Sequence, residues 1–313
     1  MIHLTFLGTS SGIPTSKRNV SSVVIRRENE KKIALIDCGE GTQRQILATP
    51  YSLAKIEQIF ITHLHGDHVF GLPGLLSTRS LLGSLEPLTL IGPKGLQAFV
   101  DQALRGSQSY PKYPLIFHEI TEESSFSLWD FVVKPVMMTH NALSYSYVFY
   151  EKKPRQTFLW EKVEAFGVPK GPLYKLLKNG ETVVLEDGRI LDGHDFLGET
   201  APVLKFIVGG DNKEPERLKD HVKDLLLLVH EATFLEDDLG EQWHTTVLRL
   251  AQFSERFQIP YVAFTHLSPR YEDYESMRRY RAEISTSYKG TYFVAEDFMT
   301  LTLANGTVTR EDL

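Results

Sequence analysis

Apolar and polar positions alternate with the two-residue period of a half-buried strand over residues 2–7, and further strand-like segments cover 21–27 and 33–37, each bounded by Gly, Ser, Pro or charged residues. That pattern predicts a meandering sheet at the start of the chain. After Gly92-Pro93-Lys94-Gly95 the period lengthens, and Phe99, Val100 and Leu104 fall on one side of a helix predicted over 96–104. A second helix is predicted over 247–257, where Val247, Leu250, Ala251 and Phe257 share a face. Strands and helices alternate in both halves, which points to an α/β fold. No repeat of fixed period and no low-complexity tract interrupts it.

No apolar run reaches membrane-spanning length; even residues 225–229 are flanked by Lys223, Asp224 and His230. The start, Met1-Ile2-His3-Leu4-Thr5-Phe6-Leu7-Gly8, lacks the basic region and cleavage site of a signal peptide. The expectation is a soluble, cytoplasmic protein with no membrane partner. At 313 residues, 42% hydrophobic and 24% charged, the chain suits one large domain or two ordinary ones. Its single cysteine, Cys38, excludes an intrachain disulfide, is compatible with a reducing compartment and reads as a small buried side chain. A formal net charge of −6 means that any polyanion must be met by a local basic patch. One such stretch exists between about Glu151 and Pro202, with Lys152, Lys153, Arg155, Lys162, Lys170, Lys175 and Lys178 among Gly-Pro turns and few strand signals. It reads as an insertion between 1–150 and 203–313, and its composition also suits the solvated face of a helical hairpin.

The densest chemistry follows the apolar segment Ile59-Phe60-Ile61. In Thr62-His63-Leu64-His65-Gly66-Asp67-His68, three imidazoles and a carboxylate stand within six positions, a set of donors that suits Zn²⁺. His63 and His65 share one face of extended backbone, whereas Asp67 and His68 lie beyond the glycine turn, so the spacing suggests two adjacent metals. Three later residues stand where a predicted strand gives way to a loop: His140 after 132–139, Asp211 after 206–210 and His266 after 261–265. Each alone also reads as a turn residue satisfied by its neighbours.

The pattern H-x-H-x-D-H closely resembles the signature of the metallo-β-lactamase superfamily of two-metal hydrolases. The resemblance implies a four-layer αβ/βα sandwich with the metals in a cleft at one edge. It gives His63, His65 and His140 to one metal, Asp67, His68 and His266 to the other, and Asp211 as a bridge. The implied cofactor is two Zn²⁺ per subunit, with Mn²⁺ or another divalent ion tolerated by the same donors. Such a pair brings a bound water to a pKa near ~7 and clamps the oxygens of a phosphoryl or acyl group. Asp67 would both coordinate and take the proton of the attacking water, while Asp37 would orient a ligand.

Further segments narrow the resemblance. Leu7-Gly8-Thr9-Ser10-Ser11-Gly12-Ile13-Pro14, Lys17-Arg18-Asn19, Asp37-Cys38-Gly39-Glu40-Gly41-Thr42-Gln43, Phe70-Gly71-Leu72-Pro73-Gly74-Leu75 and His230-Glu231-Ala232-Thr233 look like the ribonuclease Z (tRNase Z) family in its short form, over essentially the whole length. In that family the Glu of the His-Glu-Ala-Thr motif and the His of a downstream motif form a proton-donating pair, which carries to Glu231 and His244. The family also has a projecting arm with a Gly-Pro-rich tip that grips the elbow of precursor tRNA. Gly167-Val168-Pro169-Lys170-Gly171-Pro172 matches that tip, so the basic insertion 151–202 becomes the expected arm, its lysines holding phosphates without reading sequence. Lys17, Arg18 and Asn19 are placed by the resemblance near the cleaved phosphate, though they also suit a solvated basic turn. Arg270 is a candidate RNA contact or a surface ion pair.

The implied activity is a zinc-dependent endoribonuclease that cuts precursor tRNA after the discriminator nucleotide, leaving a 3′-hydroxyl on the tRNA and a 5′-phosphate on the trailer. A homodimer in which one subunit's arm serves the other's cleft is implied too; DNA is not an expected partner. The alternatives are a small-molecule phosphodiesterase on the same site and an inactive RNA-binding homologue. One departure stands out: Gly209-Gly210-Asp211-Asn212 replaces the usual Ser-Gly-Asp-Thr, and loss of the hydroxyl is expected to loosen a hydrogen bond beside the bridging aspartate.

Overall fold

The computed structural model describes residues 1–153, 155–201, 203–238 and 243–312; residue 202, the expected end of the arm, lies outside them. Two compact units are present, Met1–Tyr150 with Lys205–Leu313, and Glu151–Leu204.

The larger unit holds two mixed sheets. In the eight-stranded sheet, Thr307–Asp312, Met299–Ala304, Ile2–Gly8, Ser22–Arg27, Ile33–Ile36, Ile56–Phe60, Leu88–Gly92 and Leu115–Glu119 lie side by side in that order. Pairing is antiparallel up to Ile33–Ile36 and parallel beyond it, so the expected meander of the first three strands is present. The seven-stranded sheet runs Thr291–Val294, Tyr261–Thr265, Leu227–Glu231, Lys205–Val208, Tyr145–Glu151, Phe131–Met137 and Phe126–Leu128, its first four strands parallel.

Each sheet buries its outer face under helices. Leu72–Leu81 and Leu96–Gly106 cover the first, where Leu75, Leu76, Val100 and Leu104 join Leu35, Ile59 and Leu90 in one core. Val247–Arg256 and Tyr274–Ser287 cover the second, with Leu250, Ala251, Tyr280 and Ile284 packed on Val262 and Phe264. Phe99 and Phe257, expected to face inward, are only partly buried, at the rims of these cores. Between the sheets, Phe60 meets Tyr147 edge-on at 5.2 Å and Phe149 at 6.1 Å, contacts that add about 0.5–1.5 kcal/mol each beyond area burial. Tyr147 donates its hydroxyl to the Ile61 carbonyl at 2.6 Å, which satisfies a fully buried phenol. The result is the four-layer αβ/βα sandwich.

Parallel strands of both sheets therefore end on one edge, the usual place for a site in such folds. Asp37 follows Ile33–Ile36, the His63–His68 segment follows Ile56–Phe60, Asp211 follows Lys205–Val208, and His266 follows Tyr261–Thr265.

The smaller unit has its own core of Val163, Val168, Leu177, Val183, Leu185, Leu191 and Phe196. The sequence predicts few strands here, yet among the described residues four short ones form: Arg155–Phe158 pairs with Leu197–Ala201, and Val183–Val184 with Ile190–Leu191. Val183–Val184 and Ile190–Leu191, at two residues each, leave no periodic signal to read. The helix Trp160–Ala165 stops at Gly167, whose φ of +72° permits a left-handed cap; the Gly167 amide donates to the Glu164 carbonyl at 2.9 Å and the Val168 amide to the Val163 carbonyl at 3.3 Å.

Candidate metal centre and acid pair

Donor atoms from both sheets converge at the shared edge. His63, His65, His140 and Asp211 each offer a ligand atom within 4.8 Å of the others, and so do Asp67, His68 and His266. His65 Nδ1 lies 3.1 Å from His63 Nε2 and 3.2 Å from His140 Nε2, and His68 Nε2 lies 3.3 Å from His266 Nε2. Asp211 stands between the two groups, Oδ2 3.6 Å from His63 and Oδ1 3.4 Å from both His68 and His266. Gly210 makes this approach possible, because a Cβ there would sit 2.5 Å from Thr62 Cβ and 2.6 Å from the Tyr145 carbonyl oxygen. His266 and Asp37 both adopt left-handed backbone, φ 58° and 60°, a cost of about 1–3 kcal/mol each that the surrounding structure sustains at the site.

Whether these residues suit metal ions is decided by their other nitrogens. His68 Nδ1 donates to Asp37 Oδ2 at 2.7 Å, His140 Nδ1 to the Trp243 carbonyl at 3.0 Å, and His266 Nδ1 to Thr233 Oγ1 at 3.0 Å. The Thr62 hydroxyl donates to Asp37 Oδ2 at 2.8 Å and accepts from His63 Nδ1 at 3.1 Å. With Nδ1 of His63, His68, His140 and His266 committed as a donor, the inward Nε2 of those four rings is left to coordinate, the arrangement that metal-binding imidazoles require, while His65 turns its Nδ1 to the cluster. Inward donor separations of 3.1–3.3 Å match the edge of a tetrahedron around zinc, about 3.3 Å for Zn–N bonds of about 2.05 Å. The donor set fits divalent metal.

Electrostatics agree. Burial opposes charge on His68, yet Asp67, Asp211 and Asp37 outweigh it and hold the imidazole well above its usual pKa, so the pocket favours a cation. Burial likewise opposes charge on Asp67 and Asp211, but the facing histidines keep both carboxylates well below the usual range. On His63 and His140 burial dominates and the pKa falls, leaving neutral rings able to coordinate.

Beside the cluster, His244 Nδ1 lies 3.0 Å from Glu231 Oε1 and 3.7 Å from Asp211 Oδ2. Glu231 is fully buried and held from three sides: Oε1 also accepts from the Asn212 amide at 2.8 Å, and Oε2 accepts from Thr233 Oγ1 at 2.6 Å. Burial alone would lower the His244 pKa, but Glu231 and then Asp211 raise it to about 9. His244 precedes the helix Val247–Arg256, whose N-cap is Thr246.

Asn212 corrects one expectation. The residue is not a loosened position: its carboxamide makes four hydrogen bonds, to Thr139 N, Glu214 N, Glu214 O and His230 Nε2.

The remaining candidates lie apart from the donors in different ways. The Gly12 amide donates to Asp67 Oδ2 at 2.9 Å, which joins the loop of Lys17, Arg18 and Asn19 to the cluster. Lys17 Nζ is exposed and donates to the Glu272 carbonyl; Arg18 points inward, donating to Thr9 Oγ1 and the Ala295 carbonyl at 2.6 Å; Asn19 Nδ2 donates to the Glu40 carbonyl. Sequence reading missed Asp297, whose carboxylate accepts from Thr9 Oγ1, Asn19 N and Gln45 Nε2 at 2.7–2.9 Å and pins the base of this loop. No motif marks it, since its partners are distant in the chain. Arg270 lies over the Phe234 ring at 5.2 Å, and among the described residues it forms no ion pair. In the smaller unit, Gly167, Pro169, Gly171 and Pro172 are exposed, and Lys170 pairs with Glu164 at 2.7 Å.

A family model described as anti-Pycsar protein Apyc1 matches residues 2–159. The chain is similar to ribonuclease Z of Marinobacter nauticus, 39% identical over 313 residues and 96% of each chain. Ribonuclease Z of Bacillus subtilis is 37% identical over 309 residues, 97% of this chain and 100% of that one. Among solved structures, the short form of human tRNase Z superposes with a TM-score of 0.67 at 26% identity, over 96% of this chain and 99% of that one.

Proposed function

Because this chain belongs to the ribonuclease Z family, we propose that it is the endoribonuclease that removes the 3′ trailer of precursor tRNA, cutting after the discriminator nucleotide to leave a 3′-hydroxyl on the tRNA and a 5′-phosphate on the trailer. The observation that carries the reading is the Glu231–His244 pair at 3.0 Å beside the donor cluster, because a ribose alkoxide needs a proton as it leaves.

His63, His65 and His140 would hold one zinc ion and Asp67, His68 and His266 another, with Asp211 shared. When bound, the ions supply electrophilic stabilisation of the phosphoryl oxygens and activation of the attacking water. Asp67, whose Oδ2 is fixed by the Gly12 amide at 2.9 Å, would accept the proton of the attacking water. Glu231 keeps His244 protonated at neutral pH and turns Nδ1 toward itself, which leaves Nε2 to give its proton to the departing 3′ oxygen. Exposed Lys162, Lys175 and Lys178 on the smaller unit would meet tRNA phosphates, with Gly167, Pro169, Lys170, Gly171 and Pro172 at its tip. The exposed Lys17 and Arg270 are the core residues offered to the RNA; Arg18 and Asn19 shape the loop from within. The same reading includes a homodimer working in the cytoplasm. No described helix is long and apolar enough to cross a membrane.

Incubation of the zinc-loaded protein with a 3′-extended precursor tRNA, followed by mapping of both ends, tests this. A single cut after the discriminator that disappears in Asp67→Ala supports it; an intact precursor alongside turnover of a small phosphodiester assigns the smaller substrate instead.

A further inference from the structure

We infer that Asn212 is a positioning residue for proton donation: its buried carboxamide fixes the Glu231 carboxylate, and through it His244, in register with the metal donors. The inference rests on the ribonuclease reading above.

All four hydrogen-bonding positions of the carboxamide are used. Oδ1 accepts from Thr139 N and Glu214 N, both at 3.1 Å, while Nδ2 donates to the Glu214 carbonyl at 2.9 Å and to His230 Nε2 at 3.0 Å. The two bonds to Glu214 close a local turn. That turn aims the main-chain amide of Asn212 at Glu231 Oε1, 2.8 Å away, the same oxygen that holds His244 Nδ1. The bond to His230 requires a lone pair on Nε2 and so places the ring proton on Nδ1, which donates to the Glu231 carbonyl at 2.6 Å. The fourth bond reaches Thr139, next to His140. One side chain thus ties the main chain beside His140 to the turn after Asp211 and to His230, and reaches Glu231 through two intermediaries, the Asn212 amide at its carboxylate and His230 Nδ1 at its carbonyl. A threonine hydroxyl has one proton and two lone pairs and cannot fill four roles. This chain therefore replaces a hydroxyl with a more extensive anchor.

In the step affected, the P–O3′ bond breaks, its electron pair goes to O3′, and the proton on His244 Nε2 follows, leaving a neutral imidazole and a 3′-hydroxyl. A misplaced Glu231 would misdirect that proton without removing a metal donor.

The test compares single-turnover cleavage of a precursor tRNA with that of the same RNA carrying sulfur in place of the scissile 3′ oxygen, since a thiolate leaves without a proton. In N212A, cleavage of the oxygen substrate should slow by ~10-fold or more, a fraction of what a general acid contributes, while the sulfur substrate is cut at the rate of the unaltered protein. N212T supplies one hydroxyl in place of the carboxamide and should fall between N212A and the unaltered protein; it carries the test if N212A does not fold. Equal loss on both substrates, or loss on neither, overturns the assignment of Asn212 alone. Failure of the unaltered protein to cut the oxygen substrate would overturn the ribonuclease reading, and this inference with it.

Discussion

His244 Nδ1 stands 3.0 Å from Glu231 Oε1, and this contact places the imidazole on the protonated side of neutrality. With a pKa of about 9, His244 is a cation at pH 7 and loses its proton as pH rises through that value. A reaction that needs the proton should therefore fall in rate above about pH 9. In Glu231→Gln the largest influence raising the pKa is gone, so the alkaline limb should move toward neutrality and the maximal rate should drop. Profiles of log kcat against pH for the two proteins decide the matter; coincident alkaline limbs would refute it.

Asp37 accepts from His68 Nδ1 at 2.7 Å and from the Thr62 hydroxyl at 2.8 Å, and through Thr62 it reaches His63 as well. Truncation in Asp37→Ala should weaken zinc binding by ~10–100-fold although no donor is removed. Competition with a chromophoric chelator measures this, and unchanged affinity would show that the rings orient themselves.

Gly210→Ala forces a Cβ to within 2.5 Å of Thr62 Cβ and 2.6 Å of the Tyr145 carbonyl oxygen. Relief requires main-chain movement, so the urea midpoint should fall by the equivalent of about 1–3 kcal/mol. An unchanged midpoint would mean that the loop yields freely.

Lys175 and Lys178 are exposed on the helix Pro172–Lys178. Replacing both with Glu should weaken precursor binding and lower the slope of log K against log salt by about 1 for each phosphate no longer neutralised, with hydrolysis of a small phosphodiester preserved. Filter binding across a salt series reads the slope; a slope that does not change would remove these lysines from the RNA interface.

The sequence is most readable where local pattern and chemistry coincide. His63, His65, Asp67 and His68 are neighbours in the chain, and the apolar segment Ile59-Phe60-Ile61 before them coincides with the end of the strand Ile56–Phe60. His140, Asp211 and His266 can be picked out because each follows an apolar strand. What resists reading is long-range: Asp297 is joined to residues 252 to 288 positions away, and the inward direction of Arg18 depends on the Ala295 carbonyl. Asn212 reads as a loss in the sequence because only the missing hydroxyl is visible there; its carboxamide finds partners on three separate segments. The short strands of the smaller unit are hidden by their brevity.

The strand Ile2–Gly8 lies in the interior of its sheet, between Ser22–Arg27 and Met299–Ala304. During synthesis it therefore acquires one neighbour almost at once and the other only after some 270 further residues have been made, a count that follows from those strand positions. Until then its second row of amides and carbonyls is an open edge of mostly buried-type side chains, the kind of surface that recruits another nascent chain. The strand Ile2–Gly8 thus waits for Met299–Ala304 before its pairing is complete, and the interval between them is one in which this sheet is open to misassembly.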